Sequence, residues 1–172
     1  MGQREHDDAA PGRAPDLAGR LGPTPEPDPH QSLKLWLRML SCTVRIENEI
    51  RSRLRETFGV TLPRFDLMAQ LERYPDGLRM GELSRRLMVT GGNVTGITDL
   101  LEKEGLVLRV PDPHDRRAYA VKLTDAGRAA FADMAVVHER WIDELLQDIP
   151  SADKATLIEL LSKLKHGLDA TG

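Results

Sequence analysis

Two short apolar runs, "LVLRV" at 106–110 and "AYAVKL" at 118–123, flank the stretch "PDPHDRR". Runs of this length and composition, bounded by turn residues, read as strands. The segment between them is then a hairpin tip. Pro111 and Pro113 stiffen it and remove backbone donors, while Arg116 and Arg117 stand at the base of the second strand. Just upstream, "LMVTGGNVTG" places Thr90 where a helix N-cap belongs, with Gly91 and Gly92 as the first helical residues. Glycine costs backbone entropy in a helix. Two in succession there point to a helix end that something must approach closely.

The remaining elements follow from periodicity and punctuation. Residues 32–57 repeat apolar side chains at helical spacing (Leu33, Trp36, Leu37, Leu40, Val44, then Ile46, Ile50, Leu54), with Ser32 as a cap and Gly59 as a stop. Residues 63–74 form a second helix with Pro63 in its first turn, "PDG" a turn, and 80–89 a short helix. A helix from Gly91 ends at Gly105. Thr124 caps a long helix to about Leu146, and Ser151 caps a final helix. The order is helix, helix, short helix, tight turn, helix, strand, hairpin tip, strand, long helix, helix. The predicted fold class is therefore mainly α (α+β), a winged helix–turn–helix with helices added at both ends. Residues 1–30 hold six of the eleven prolines and few apolar side chains, so they read as a disordered tail.

Composition restricts function. The net charge of −3 conceals local contrasts: residues 1–30 carry −3, 31–60 carry +3, 79–128 carry +2 and 129–172 carry −4. A polyanionic partner needs a local basic patch, not a basic chain. No apolar run approaches the about 20 residues of a membrane span, and the N-terminus lacks the apolar core of a secretory signal. With Cys42 as the one cysteine, an intrachain disulfide is excluded, and a cytoplasmic protein is expected. The five histidines show no i,i+4 pair, so no metal site is expected. No nucleophilic triad, phosphate loop after a strand or paired carboxylates stand out, so the chain is not expected to be an enzyme.

The helix after the turn and the hairpin tip together fit a DNA duplex. A helix N-terminus offers unpaired N–H groups and partial positive charge to a phosphate. Asn93, Thr95 and Thr98 are short and polar. Asparagine can read adenine, and threonine can bond to bases or touch a thymine methyl. Thr90, Gly91 and Gly92 complete this candidate surface. At the hairpin tip, adjacent strand residues face opposite ways, so one of Arg116 and Arg117 can enter a narrow minor groove, whose potential attracts arginine. Asp115 can brace Arg117 through a charge-assisted bond, and Asp112 can do so for Arg116 or Arg109. Read in isolation, the turn is equally a flexible capped helix and the tip an ordinary ion-paired surface loop.

The segment "MGELSRRLMVTGGNVTGITDLLEKEGLVLRVPDPHDRRAYAVKLTDAGRAAF" (80–131) resembles the core of the MarR family of bacterial transcription regulators. The resemblance covers roughly 32–168. It implies a homodimeric repressor of a pseudo-palindromic double-stranded operator, released by a small-molecule effector. It further implies a recognition helix at about 91–104, a wing at about 106–123, and Arg117 in the minor groove with Asp115 bracing it. Residues 31–60 and 124–170 would form the helical dimerisation region and 61–123 the DNA-binding domain. The stripe Leu157, Leu160, Leu161, Leu164 and Leu168 fits such a dimer, although packing within one chain also accounts for it. The stretches "LWLRMLSCT" and "LPRFDLMAQL" are similar to a subgroup that controls hydroxycinnamate and related aromatic-acid catabolism. Its effector is the aryl-coenzyme A thioester, for example p-coumaroyl-CoA. On that resemblance Trp36, Phe65 and Met68 would line a slot for the ring. Arg38, Arg45, Arg51, Arg53 and Arg64 would meet phosphates, a role that suits arginine. Each also has an ordinary reading as core or as solvated charge. Two alternatives are a free aromatic acid as effector, or oxidation at Cys42. Its place among apolar helical residues predicts a buried structural thiol instead.

Overall fold

The computed structural model describes residues 28–111 and 119–170. The expected tail at 1–30 therefore lies outside the described residues except for its last three positions. The chain divides into two compact units between Leu40 and Ser41. In the first, the Asp28 carboxylate accepts from the His30 N–H at 2.9 Å and from Lys34 Nζ at 2.6 Å. Lys34, then the His30 N–H, hold that carboxyl below its usual range. This turn starts helix α1 (Gln31–Phe58), so the expected cap Ser32 lies inside the first turn. Leu33, Leu35, Trp36 and Leu37 are each more than half exposed.

In the second unit α1 ends at Gly59, whose φ of +66° suits glycine. Then come α2 (Leu62–Arg73), β1 (Leu78–Arg79), α3 (Met80–Leu87), α4 (Gly91–Lys103), β2 (Val107–Pro111), β3 (Tyr119–Leu123), α5 (Asp125–Leu145) and α6 (Ser151–Asp169). Pro63 sits in the first turn of α2, as expected. Pro150 rather than Ser151 occupies the N-cap of α6. The hairpin is antiparallel, with Val107 opposite Leu123 and Pro111 opposite Tyr119. Strand β1 adds a third strand beside β3, Leu78 pairing with Val121, in the order β1-β3-β2. The sequence reading missed β1, since two residues carry no period.

The core collects one face from each element. Leu54, Leu67, Met68, Leu71, Leu83, Val94, Leu101, Val107 and Val121 are almost wholly excluded from water. Burial of each such side chain contributes roughly 1.5–3 kcal/mol. Phe65 packs on Phe131 and His138, with ring centroids 5.4 and 4.7 Å away. Burial pushes the His138 ring down from its ordinary pKa. On α2, burial and then the charge of Glu47 push the Asp66 carboxyl up to about 6. Arg53 pairs with Glu49 within α1 and links that helix to α5 through Glu144. Hydrogen bonds to those two carboxylates raise its pKa.

The stretch "TDAGR" at 124–128 joins the wing to α5. Thr124 Oγ1 accepts from the Gly127 N–H at 2.9 Å and donates to the Gly105 carbonyl at 2.7 Å. The Thr124 N–H donates to the Leu106 carbonyl at 3.0 Å. Arg128 holds Asp125 and the Leu123 carbonyl. A Cβ on Gly127 would lie 1.9 Å from the Leu106 oxygen, a clash with backbone that cannot swing aside. Gly127→Ala is expected to lower stability by about 1–3 kcal/mol through overpacking. Gly91→Ala, where a Cβ meets open space, is expected to cost nothing. Urea unfolding midpoints of the two variants check this.

Candidate functional site

Helices α3 and α4 form the helix–turn–helix. Glu82 accepts from the Arg79 N–H at 3.1 Å and starts α3. The turn closes reciprocally: Ser84 Oγ donates to the Val89 carbonyl at 2.5 Å, and the Val89 N–H donates to the Ser84 carbonyl at 3.2 Å. Met88 takes a left-handed φ of +53° to make that turn and is 92% exposed.

Thr90 occupies the N-cap of α4 with extended backbone, as expected, but its hydroxyl does not cap the helix. The N–H groups of Gly91 and Gly92 have no partner among the described residues, and the first turn carries no acidic residue. The helix end is therefore open, electropositive and without side-chain bulk. Gly91, Gly92, Asn93, Thr95 and Gly96 are exposed along one side, while Val94, Ile97, Thr98 and Leu101 face the core. Thr95 donates to the Gly91 carbonyl at 2.9 Å, leaving its methyl and oxygen lone pairs outward.

Thr98 corrects the sequence reading. It is fully buried, its hydroxyl donating to the Val94 carbonyl at 2.8 Å and lying 3.9 Å from Met80 Sδ. It shares the inner face with Val94 and Leu101, because three and four residues return a helix to the same side. Thr98 is a core residue and touches no ligand from there.

Arg109 on β2 ties the wing to α4 through ion pairs with Asp99 and Glu102, and its N–H reaches Glu102 at 3.3 Å. The Asp99 bond, ahead of the other contributions, raises its pKa. Asp112, its expected brace, lies outside the described residues, as do Asp115, Arg116 and Arg117. Two further cations escaped the sequence reading. Arg85 is exposed and has no partner among the described residues. Arg86 lies 4.2 Å over the Tyr74 ring and donates to its hydroxyl at 2.8 Å. The adjacent pair "RR" just before the turn was the available signal. With Arg79, Arg85 borders a depression of about 500 Å³ at the start of α3.

The residues expected to line a ring slot are placed as follows in their own units. Phe65 is 5% exposed, its ring committed to Phe131 and His138. Met68 is buried, but it lines a cavity of about 480 Å³ together with Arg64, Phe58 and Val60. Trp36 and Arg38 belong to the first unit and are exposed. Of the five arginines expected to meet phosphates, three already face carboxylates: Arg51 faces Glu47, Arg53 both Glu49 and Glu144, and Arg64 faces Glu104. Arg38 and Arg45 face no carboxylate among the described residues. Cys42, expected to be buried, is exposed, because the apolar neighbours on α1 that should enclose it, Leu40 and Val44, are themselves exposed. Among the described residues no helix is long and apolar enough to cross a membrane.

This architecture is shared with known proteins. Residues 58–118 match the sequence model of the MarR family. The transcriptional activatory protein BadR of Rhodopseudomonas palustris is 30% identical over 134 residues, covering 76% of each chain. The chain belongs to the MarR family. A MarR family transcriptional regulator from Silicibacter pomeroyi has a similar solved structure, with a TM-score of 0.65, 35% identity, and coverage of 82% of this chain and 95% of that one. A mutant of Escherichia coli MarR complexed with operator DNA aligns with a TM-score of 0.67 and 25% identity, covering 80% and 98%. As a MarR-type protein the chain is a DNA-binding transcription regulator with a winged helix–turn–helix and not an enzyme. Thr98→Val, which keeps shape and loses only a buried hydroxyl, is expected to leave the operator motif recovered from random DNA unchanged. A shifted motif would return Thr98 to the reading surface.

Proposed function

We propose that the chain is a homodimeric, ligand-responsive repressor of a pseudo-palindromic operator, acting in the cytoplasm on genes of aromatic-acid catabolism. The open N-terminus of α4 carries the DNA part of this reading. Uncapped N–H groups at Gly91 and Gly92 can meet a phosphate, with Asn93 and Thr95 next to them at the base edges. Arg117, with Asp115 as its brace, is the minor-groove residue in this reading, and Arg116 is the cation beside it in sequence. The dimer reading draws on α6, which has no buried residue, and whose Leu157, Ile158, Leu160, Leu161, Leu164 and Leu168 are 44–66% exposed. A continuous apolar face of that size calls for a partner. Two recognition helices held about 34 Å apart then reach successive major-groove faces. Residues 31–60 and 124–170 are the dimerisation layer in this reading.

Arg117→Ala is expected to weaken operator binding and reduce the slope of log affinity against log salt by about one. Asn93→Ala is expected to relax preference at one base position. Fluorescence anisotropy across a salt series, with selection from random DNA, measures both. An unchanged slope would reject the wing assignment.

The effector in this reading derives from an aromatic acid. The cation count favours the free acid over its thioester: coenzyme A phosphates need several free cations, and among the described residues Arg38 and Arg45 alone of the five face no carboxylate. The thioester stands as the second reading, carried by those two arginines with Trp36. Calorimetry with p-coumarate and p-coumaroyl-CoA separates them. Heat from the acid is expected, heat from the thioester alone would install the second reading, and heat from neither would remove both. BadR is named as an activatory protein, so the sign of regulation is read from a promoter fusion with and without the protein.

A further inference from the structure

Met88, in the turn between α3 and α4, is the one non-glycine residue with positive φ among those described, at +53°. The hydrogen bonds of the turn impose that conformation. The Val89 N–H donates to the Ser84 carbonyl at 3.2 Å, and the Met88 N–H to the Arg85 carbonyl at 3.3 Å. This pair of bonds is a Schellman motif, whose left-handed position is ordinarily taken by glycine or asparagine. A methionine there brings its Cβ close to the following carbonyl, so it is the costlier choice for folding.

Packing does not offset that cost. Leu87 and Val89, on either side, pack against the core. Met88 is 92% exposed, more than any other large apolar side chain among the described residues. A strained residue whose side chain the fold does not use points to a role outside the chain. Its surroundings select the partner. Arg85, on the last turn of α3, is exposed. Two residues beyond Met88, Thr90 begins the open N-terminus of α4, a separation of at most about 8 Å along the chain. An unbranched apolar side chain between a cation and an open helix end fits a DNA groove. Phosphates line its rim, and thymine methyl groups are the apolar features of its floor. The flexible stem and polarisable sulfur of methionine suit such a contact.

We propose that Met88 is a base-reading residue that makes an apolar contact with the methyl group of one thymine at the edge of each half-site. The left-handed backbone turns it outward while its neighbours face inward. The inference rests on the DNA reading above and adds a specificity determinant to Asn93 and Thr95.

The test uses the full chain and the tightest duplex it selects from random DNA. Each thymidine of that duplex is replaced in turn by deoxyuridine, which removes the methyl group and leaves the hydrogen-bonding edges unchanged. For the unaltered chain, one thymine per half-site is expected whose replacement weakens binding about fourfold, the factor for one methyl-sized group leaving an apolar contact. Met88→Gly and Met88→Asn, both suited to the left-handed turn, are expected to be indifferent to replacement at that same thymine. A thymine touched by the Thr95 methyl stays sensitive in both. Each variant is also expected to hold or raise its urea midpoint while its affinity for the methylated duplex falls about fourfold. A merely structural role would move stability and affinity together. The same uracil sensitivity in all three proteins, or no sensitive thymine for the unaltered chain, would overturn the proposal and leave the DNA reading standing. Loss of sensitivity in Met88→Gly alone would trace it to a loosened turn and overturn the proposal as well. If the unaltered chain selects no duplex, the DNA reading falls and the proposal with it.

Discussion

One carbonyl group ties the helix–turn–helix, the hairpin and the long helix α5 together. The Leu106 oxygen accepts the Thr124 N–H at the point where α4 ends, the wing begins and α5 starts. Gly127 lets α5 approach that oxygen more closely than any side chain would permit. Thr124 at the same time bonds to Gly105 and caps α5. A cap of this kind is worth about 1 kcal/mol, but its structural effect is larger. Recognition helix, hairpin and long helix are pinned at one place, so a shift in any one is felt by the others.

The reading surface depends on that joint and on a division of labour along α4. Its inner face, Val94, Ile97, Thr98 and Leu101, is sealed in the core. Its outer face is glycine and short polar residues, and its N–H groups are left open at the tip. Asp99 and Glu102 lie between the faces and grip Arg109 of the wing. Helix and hairpin are thus braced by ion pairs as well as by packing, and in the proposed reading they meet DNA as one body. Holding groups in place before the partner arrives lowers the entropic cost of binding.

Leu106 and Glu104 belong to the joint and also to the wall of the cavity beside it. A cavity of about 480 Å³ therefore lies directly against the end of α4. Arg64 spans the two, with one nitrogen on the end of α4 and another facing the cavity unpartnered. A charge buried with a single half-exposed partner is held less firmly than one with its full set of acceptors.

The sequence alone was enough for the order of the elements other than β1, because its signals act over a few residues. Gly59 and Gly105 stop helices through positive φ, Thr124 caps α5, and Pro63 opens α2. The motifs around 80–131 also sufficed for the family. Tertiary structure decided whatever depends on a distant neighbour. Thr98 is polar yet lies inside, because the face it shares with Val94 is covered by other elements. Cys42 sits among apolar residues yet lies outside, because nothing in its unit covers that face. Three arginines that looked free are taken by Glu47, Glu49, Glu144 and Glu104, of which the last two lie far along the chain. The two-residue strand β1 exists only because β3 offers it an edge. Local dihedral preference is written in adjacent residues, whereas burial and ion pairing are properties of which surfaces meet, and that is set only when the whole chain has packed.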